Sequence, residues 1–295
     1  MRANIFDALL AAMHREPNVF LLVADMGIQL VERFEQAFPR RFLNVGIAEQ
    51  NLVGIAAGLC NLGFRPFAYT ISNFLIHRAF EQIRNDVALH GYPVTLLGTS
   101  AGYDNAPLGP THHIVDDWGA LRAIPGVAIY CPSSVACADA LVDRLLERNR
   151  PAYVRIHKGA FREPASTEDV VYQPCAGAET LLVSYGATLQ HCLEVRAGGE
   201  PVSILALNRL WPLEDPLLGE ALGAHRRALV VEDQFASSGL YNALCQFAME
   251  RGLGCRIRSA APSEGYALTV GSTDRYYHAR YGLDQAGIRA ALAAW

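Results

Sequence analysis

The sequence predicts an α/β protein made of two parallel-sheet α/β domains. Three observations carry this. Short continuous apolar runs, such as residues 19–24 (VFLLVA), alternate with stretches of helical length, as in parallel strands covered on both faces. The chain has 295 residues, room for two domains of ordinary size, and 51% of them are hydrophobic, enough for sizeable cores. A polar, irregular stretch, residues 161–178, reads as a linker between domains at 1–160 and 179–295.

Taken in order, residues 3–15 predict a helix and 19–24 a buried strand, with Asp25 at its C-terminal end, where open α/β sheets place ligands. A short strand at 42–45 turns at Gly46 into a helix that is apolar or small on nearly every face (LVGIAAGL, 52–59), the pattern of a buried helix. A strand at 65–69 precedes a long helix at 72–89. A strand at 93–98 leads into a glycine- and proline-rich loop, 99–113. A helix ending at 121–123, a strand at 127–130, a helix at 132–148 and a strand at 152–156 complete the first half. The second half carries strands at 180–184, 202–207 and 228–232 with helices between. Such alternation argues for parallel sheets.

Composition narrows the function classes. A formal charge of −4 gives no electrostatic reason to expect nucleic acid or an anionic membrane. Seven cysteines, an odd number without CxxC spacing, fit a reducing compartment with neither a disulfide framework nor a zinc site. The apolar start is broken by Asp7, His14, Arg15 and Glu16, so it reads as an amphipathic helix and not as a signal peptide. No apolar run reaches membrane-spanning length. A cytoplasmic location is the expectation.

Four groups of residues have chemical potential. Glu49 lies in the first turn of the apolar helix. A carboxylate buried there needs a partner: the helix dipole at the least, or a heterocycle with which it shares a proton. Phe74, His77 and Phe80 fall on or beside one helical face, a spacing that most often means core packing. In the loop NAPLGPTHH, Gly109-Pro110 sets a tight turn before His112 and His113. Adjacent histidines point apart and no further ligands lie nearby, so no metal is expected. Arg155 and Arg2 are cations of the type that pairs bidentately with phosphate, or ordinary ion-paired arginines.

Several of these stretches resemble one family. NVGIAEQN (44–51) resembles the central motif of the pyrimidine-binding domain of thiamine-diphosphate enzymes of the transketolase group. GPTHH resembles the DGPTH loop of transketolases and deoxyxylulose-phosphate synthases. VSILALNRLWPLE and ALVVEDQFASSGL resemble the transketolase C-terminal domain. The resemblance implies that Glu49 hydrogen-bonds N1′ of the aminopyrimidine and that Phe74 and Phe80 wrap this ring. His77 departs from the aromatic pattern. It implies a cofactor-side place for Asp25, substrate contacts for His112 and secondarily His113, and phosphate contacts for Arg155 and Arg2. Two further departures stand out. Leu108 replaces an Asp that binds a substrate hydroxyl, and Ser100 replaces a histidine of sugar-phosphate transketolases.

The GDG sequence by which the family holds the diphosphate and its Mg2+ is absent. The resemblance therefore implies the small, C-terminal-section subunit of a split transketolase-like enzyme. Thiamine diphosphate would be shared with an N-terminal-section partner carrying GDG and Mg2+, in an α2β2 assembly acting on sugars or sugar phosphates. The competing expectations are the β subunit of a 2-oxo-acid dehydrogenase E1, a deoxyxylulose-phosphate-synthase-like carboligase, and a non-catalytic regulatory paralogue.

Overall fold

Two sheets organise the chain, which a computed structural model describes over residues 1–262 and 265–295. The first contains β1 (Val19–Val23), β2 (Phe42–Asn44), β3 (Arg65–Ile71), β4 (Thr95–Thr99), β5 (Ala128–Tyr130) and β6 (Ala152–Ile156). The second contains β7 (Val170–Gln173), β8 (Thr180–Ser184), β9 (Val202–Leu207), β11 (Arg227–Val231) and β12 (Arg256–Ala260), while β10 (Arg209–Trp211) joins the first. The orders are β10-β5-β6-β4-β3-β1-β2 and β12-β11-β8-β9-β7. Every residue of β1, β4, β6 and β9 is buried, which is why each reads as an unbroken apolar or small run.

Each sheet differs from a purely parallel one at an edge. β7, inside the stretch read as an irregular linker, pairs antiparallel with β9, with Val170 opposite Leu207. β10 pairs antiparallel with β5, so that Trp211 lies opposite Ile129 and the second half of the chain completes the first sheet. An antiparallel edge on a parallel sheet is a common arrangement. Strands of three or four residues with mixed burial leave little periodicity to read.

Two helices also depart from expectation. The stretch 72–89 is not one regular helix. Phe74–Arg78 and Ile83–Ala88 are π-helical turns flanking a short α-turn, Phe80–Gln82. Such π-turns are rare and often mark functional sites. The helix Glu49–Asn61 buries Leu52, Val53, Ala56 and Ala57, but Asn51 and Gly58 are exposed and Gly54 and Ile55 half-buried. A side chain built at Gly54 or Gly58 would meet nothing within 4 Å, so one apolar face lies open in this chain. Among the described residues, no helix is long and apolar enough to cross a membrane.

The halves are joined at a buried ion cluster. Arg155, at the end of β6, is 0% exposed. Its Nε donates to Asp117 Oδ2 at 2.8 Å, its Nη1 to Asp233 Oδ1 at 3.2 Å and its Nη2 to the Ile114 carbonyl at 3.1 Å. Asp117 also accepts from the Tyr153 hydroxyl at 2.7 Å and from Gln234 Nε2. Burial opposes the charge on Arg155, but Asp117 and Asp233 outweigh it and hold the guanidinium firmly protonated. Asp233 and Gln234 belong to the second half, so these bonds fix the two domains against each other.

Removing the cation would leave two buried carboxylates facing each other. Arg155→Ala is expected to cost about 3–5 kcal/mol of unfolding free energy, measured by denaturant titration. A loss below about 1 kcal/mol, the range of an exposed pair, would contradict this role.

Candidate active site

Three segments meet beyond the C-terminal ends of β3 and β4: the π-turn after β3, the loop after β4, and residues 265–270 of the second domain. The loop is folded onto the second domain by close contacts. Gly102 has φ +51°, and a Cβ there would strike the Asp233 carboxylate, so only glycine fits. Tyr103 stacks on Tyr277, with centroids 4.6 Å apart and planes 11° apart. Asn73 Nδ2 donates to the Thr111 carbonyl at 2.6 Å, tying the π-turn to the histidine loop. The segments enclose a cavity of about 460 Å³ lined by Asn73, His77, Pro110, Thr111, His113, Asp116, Tyr266 and Leu268.

Two side-chain chains run through this region. In one, Glu49 is 1% exposed and its Oε2 accepts from Arg78 Nη1 at 2.5 Å. The Arg78 guanidinium lies 4.7 Å from the Phe74 ring centroid, and Phe74 packs edge-on against His112 at 5.3 Å. His112 Nδ1 is 3.0 Å from Thr111 Oγ1. In the other, His77 Nε2 is 3.0 Å from Asp116 Oδ1, while Asp116 Oδ2 accepts from the Tyr266 hydroxyl at 2.9 Å. The hydrogen bond to Asp116 raises the pKa of His77, against the smaller opposing effect of burial. Burial pushes Asp116 up, yet His77 and Tyr266 together hold it below the ordinary carboxylate value.

His113 is 4% exposed, and neither ring nitrogen has a hydrogen-bond partner. Tyr103 and Tyr277 meet its ring edge-on at 5.1 and 4.7 Å. Burial lowers its pKa, which favours the neutral imidazole.

The structure brings Glu49, Phe74, His77, His112 and His113 into this neighbourhood. The others fall elsewhere. Phe80 is half-buried against the hydrophobic core. Asp25 is exposed at the end of β1, in the left-handed region at φ 48°, with its backbone N–H on Asn44 Oδ1. Ser100 is buried, with its hydroxyl 3.4 Å from Asn105 Oδ1. Leu108 is 56% exposed on a 3-10 turn and outside the cavity lining. Arg2 lies beside the buried Tyr69 hydroxyl. Arg155 corrects the expectation of a phosphate contact. Its donors are taken up by Asp117, Asp233 and a backbone carbonyl, and solvent does not reach it.

Sequence reasoning missed Arg78, Asp116 and Tyr266. Arg78 follows His77 directly and could have been weighed as a partner for a buried acid. Asp116 lies three residues after the paired histidines. Tyr266 comes from the other domain, and nothing local marks it.

Comparison with known proteins places this geometry in a class. Residues 1–164 match the transketolase pyrimidine binding domain, and residues 170–288 match the transketolase C-terminal domain. The chain belongs to the transketolase family, a group of thiamine-diphosphate enzymes. It is 32% identical to the 1-deoxy-D-xylulose-5-phosphate synthase of Thermus thermophilus over 98% of its own length, but spans only 47% of that enzyme. It is 28% identical to one of the separately encoded chains of the apulose-4-phosphate transketolase of Phocaeicola vulgatus, over 97% of this chain and 94% of that one. Among solved structures it is similar to a split gene transketolase in the form of an inactive beta4 tetramer. The TM-score is 0.87 at 27% identity, covering 99% of this chain and 97% of that one.

The His77–Asp116 contact sets a titration. Wild-type His77 should titrate above its ordinary 6.5, and Asp116→Asn should bring it down, since burial then acts without its counterweight. The sign follows. A raised histidine contributes stability in full below about pH 6.5 and loses it as pH rises through the folded-state value. Histidine ring NMR checks this; an unmoved His77 in Asp116→Asn would contradict the pairing.

Proposed function

We propose that this chain is the β, C-terminal-section subunit of a split transketolase-like enzyme. It transfers a two-carbon ketol unit from a ketose or ketose phosphate to an aldehyde acceptor. The observation that carries this reading is the end-to-end match to split-gene subunits, where synthases of the same family are matched over only half their length. The partner is an N-terminal-section subunit that holds the diphosphate and Mg2+, and the assembly is α2β2. The family relationship supports thiamine diphosphate as the shared cofactor.

The residues present fit the pyrimidine end of that cofactor. Glu49 is a buried carboxylate whose side-chain partner among the described residues, Arg78, is 46% exposed and therefore displaceable. An aromatic face, Phe74, stands beside it. When bound, thiamine diphosphate supplies a nucleophilic carbon that makes and breaks the ketol bond. Glu49 would hold a proton at its carboxyl oxygen against the ring nitrogen. Phe74 would cover the ring and exclude water. With Nδ1 on Thr111, His112 keeps Nε2 to move a proton at a substrate oxygen. The neutral, partnerless His113 offers a second contact. Leu108 denies a carboxylate acceptor on this loop, which favours acceptors that lack, or orient differently, the hydroxyl next to the carbonyl.

Two outcomes test the reading. The isolated chain should be inactive and bind thiamine diphosphate weakly even with Mg2+. The inactivity of the similar split-gene homotetramer is in line with this. Tight magnesium-dependent binding by calorimetry without a partner would sink the split-enzyme reading. In the reconstituted pair, Glu49→Gln should lose more than about tenfold in kcat, about 1.4 kcal/mol of barrier, while cofactor still binds. Near-normal turnover would reduce Glu49 to a helix-end charge.

A further inference from the structure

The cavity wall opposite the histidine loop has a polar arrangement that the proposed ketol transfer leaves unexplained. His77 is held from both domains at once. Its Nε2 meets Asp116 Oδ1 at 3.0 Å, and the other oxygen of Asp116 is held at 2.9 Å by Tyr266 from the second domain. The ring is therefore fixed in direction, because its anchor cannot turn without breaking the Tyr266 bond. The remaining nitrogen, Nδ1, has no bonded partner among the described residues, and His77 lines the cavity with its side chain 37% exposed.

The rest of the lining indicates what such a nitrogen meets. Among the described residues the cavity is lined by neither Lys nor Arg. The charge of a protonated His77 is matched by Asp116, so the pair presents a directed N–H and no net charge. Phosphate recognition uses unmatched cations in a fork. A pocket with Asn73, Thr111, His113 and a fixed imidazole instead offers neutral donors and acceptors, the complement of hydroxyl groups. We propose that His77 is a specificity-determining residue that donates from Nδ1 to a hydroxyl oxygen on an uncharged, hydroxylated stretch of the substrate lodged in this cavity. Asp116 and Tyr266 act through His77 as positioning residues. The inference rests on the ketol-transfer reading for the identity of the ligand as substrate.

The test has two arms that fail separately. In the holoenzyme reconstituted with its N-terminal-section partner, kcat/KM is measured for D-glyceraldehyde and for propanal, which has the same carbon chain without hydroxyls. His77→Phe should lower the glyceraldehyde-to-propanal ratio about tenfold, mainly through KM, and His77→Gln, which keeps a donor, should restore most of it. An unchanged ratio overturns the proposal. In the isolated chain, the His77 ring resonances are followed while erythritol or inorganic phosphate is added. Erythritol should move them and phosphate should not. Movement by phosphate alone, or by neither, overturns the proposal. A reconstituted pair with no ketol transfer on any substrate would remove the functional reading, and the erythritol arm would still decide the role of His77.

Discussion

Arg155 is the point on which the arrangement of the site depends. Its guanidinium takes one carboxylate from each domain and a carbonyl from the histidine loop. Buried ion clusters are costly to assemble and costlier to break, because a lone charge in a core has no water to turn to. The three bonds therefore act as a register mark. They set β6, the helix that begins at Asp117 and the second domain in one mutual position. The carbonyl of Ile114, two residues past His112, is fixed in the same act.

From that fixed point the rest of the site follows as a set of cross-ties. Asn73 holds the π-turn to the loop, and the Tyr103–Tyr277 stack holds the loop to the second domain. Tyr266 then reaches Asp116 from the same side. The second domain carries no residue expected to meet the reacting atoms, yet it shapes the cavity wall. The open face of the helix Glu49–Asn61, with Gly54 and Gly58 clear of any neighbour, accords with a chain that completes its packing against a partner. Glu49, paired with a half-exposed Arg78, is likewise held in a form that a bound ring could replace.

Much of this was legible in the sequence because burial on both faces of a parallel sheet leaves a plain signal. β6, β8 and β9 fall where their apolar runs lie. The edge strands β7 and β10 were not legible, since three or four residues with one solvent-facing side carry almost no pattern. The π-turns were hidden for another reason: they keep helical composition and change only the hydrogen-bond step. At the site, Glu49 and the His112–His113 pair stood out as polar residues in apolar or tightly turned surroundings. Arg155 shows the limit. An arginine at a strand end looks the same in sequence whether it faces a phosphate or two buried carboxylates, and the deciding partner, Asp233, lies in the other domain. Tyr266 was invisible for the same reason.

The central claim is that this chain supplies the pyrimidine half of a shared thiamine-diphosphate site. The most direct measurement is the structure of the chain with its N-terminal-section partner and bound cofactor. The account predicts the Glu49 carboxylate within hydrogen-bond distance of the aminopyrimidine ring nitrogen, with Arg78 no longer bonded to it and Phe74 against the ring. A complex in which Glu49 keeps Arg78 and the aminopyrimidine lies elsewhere would contradict it.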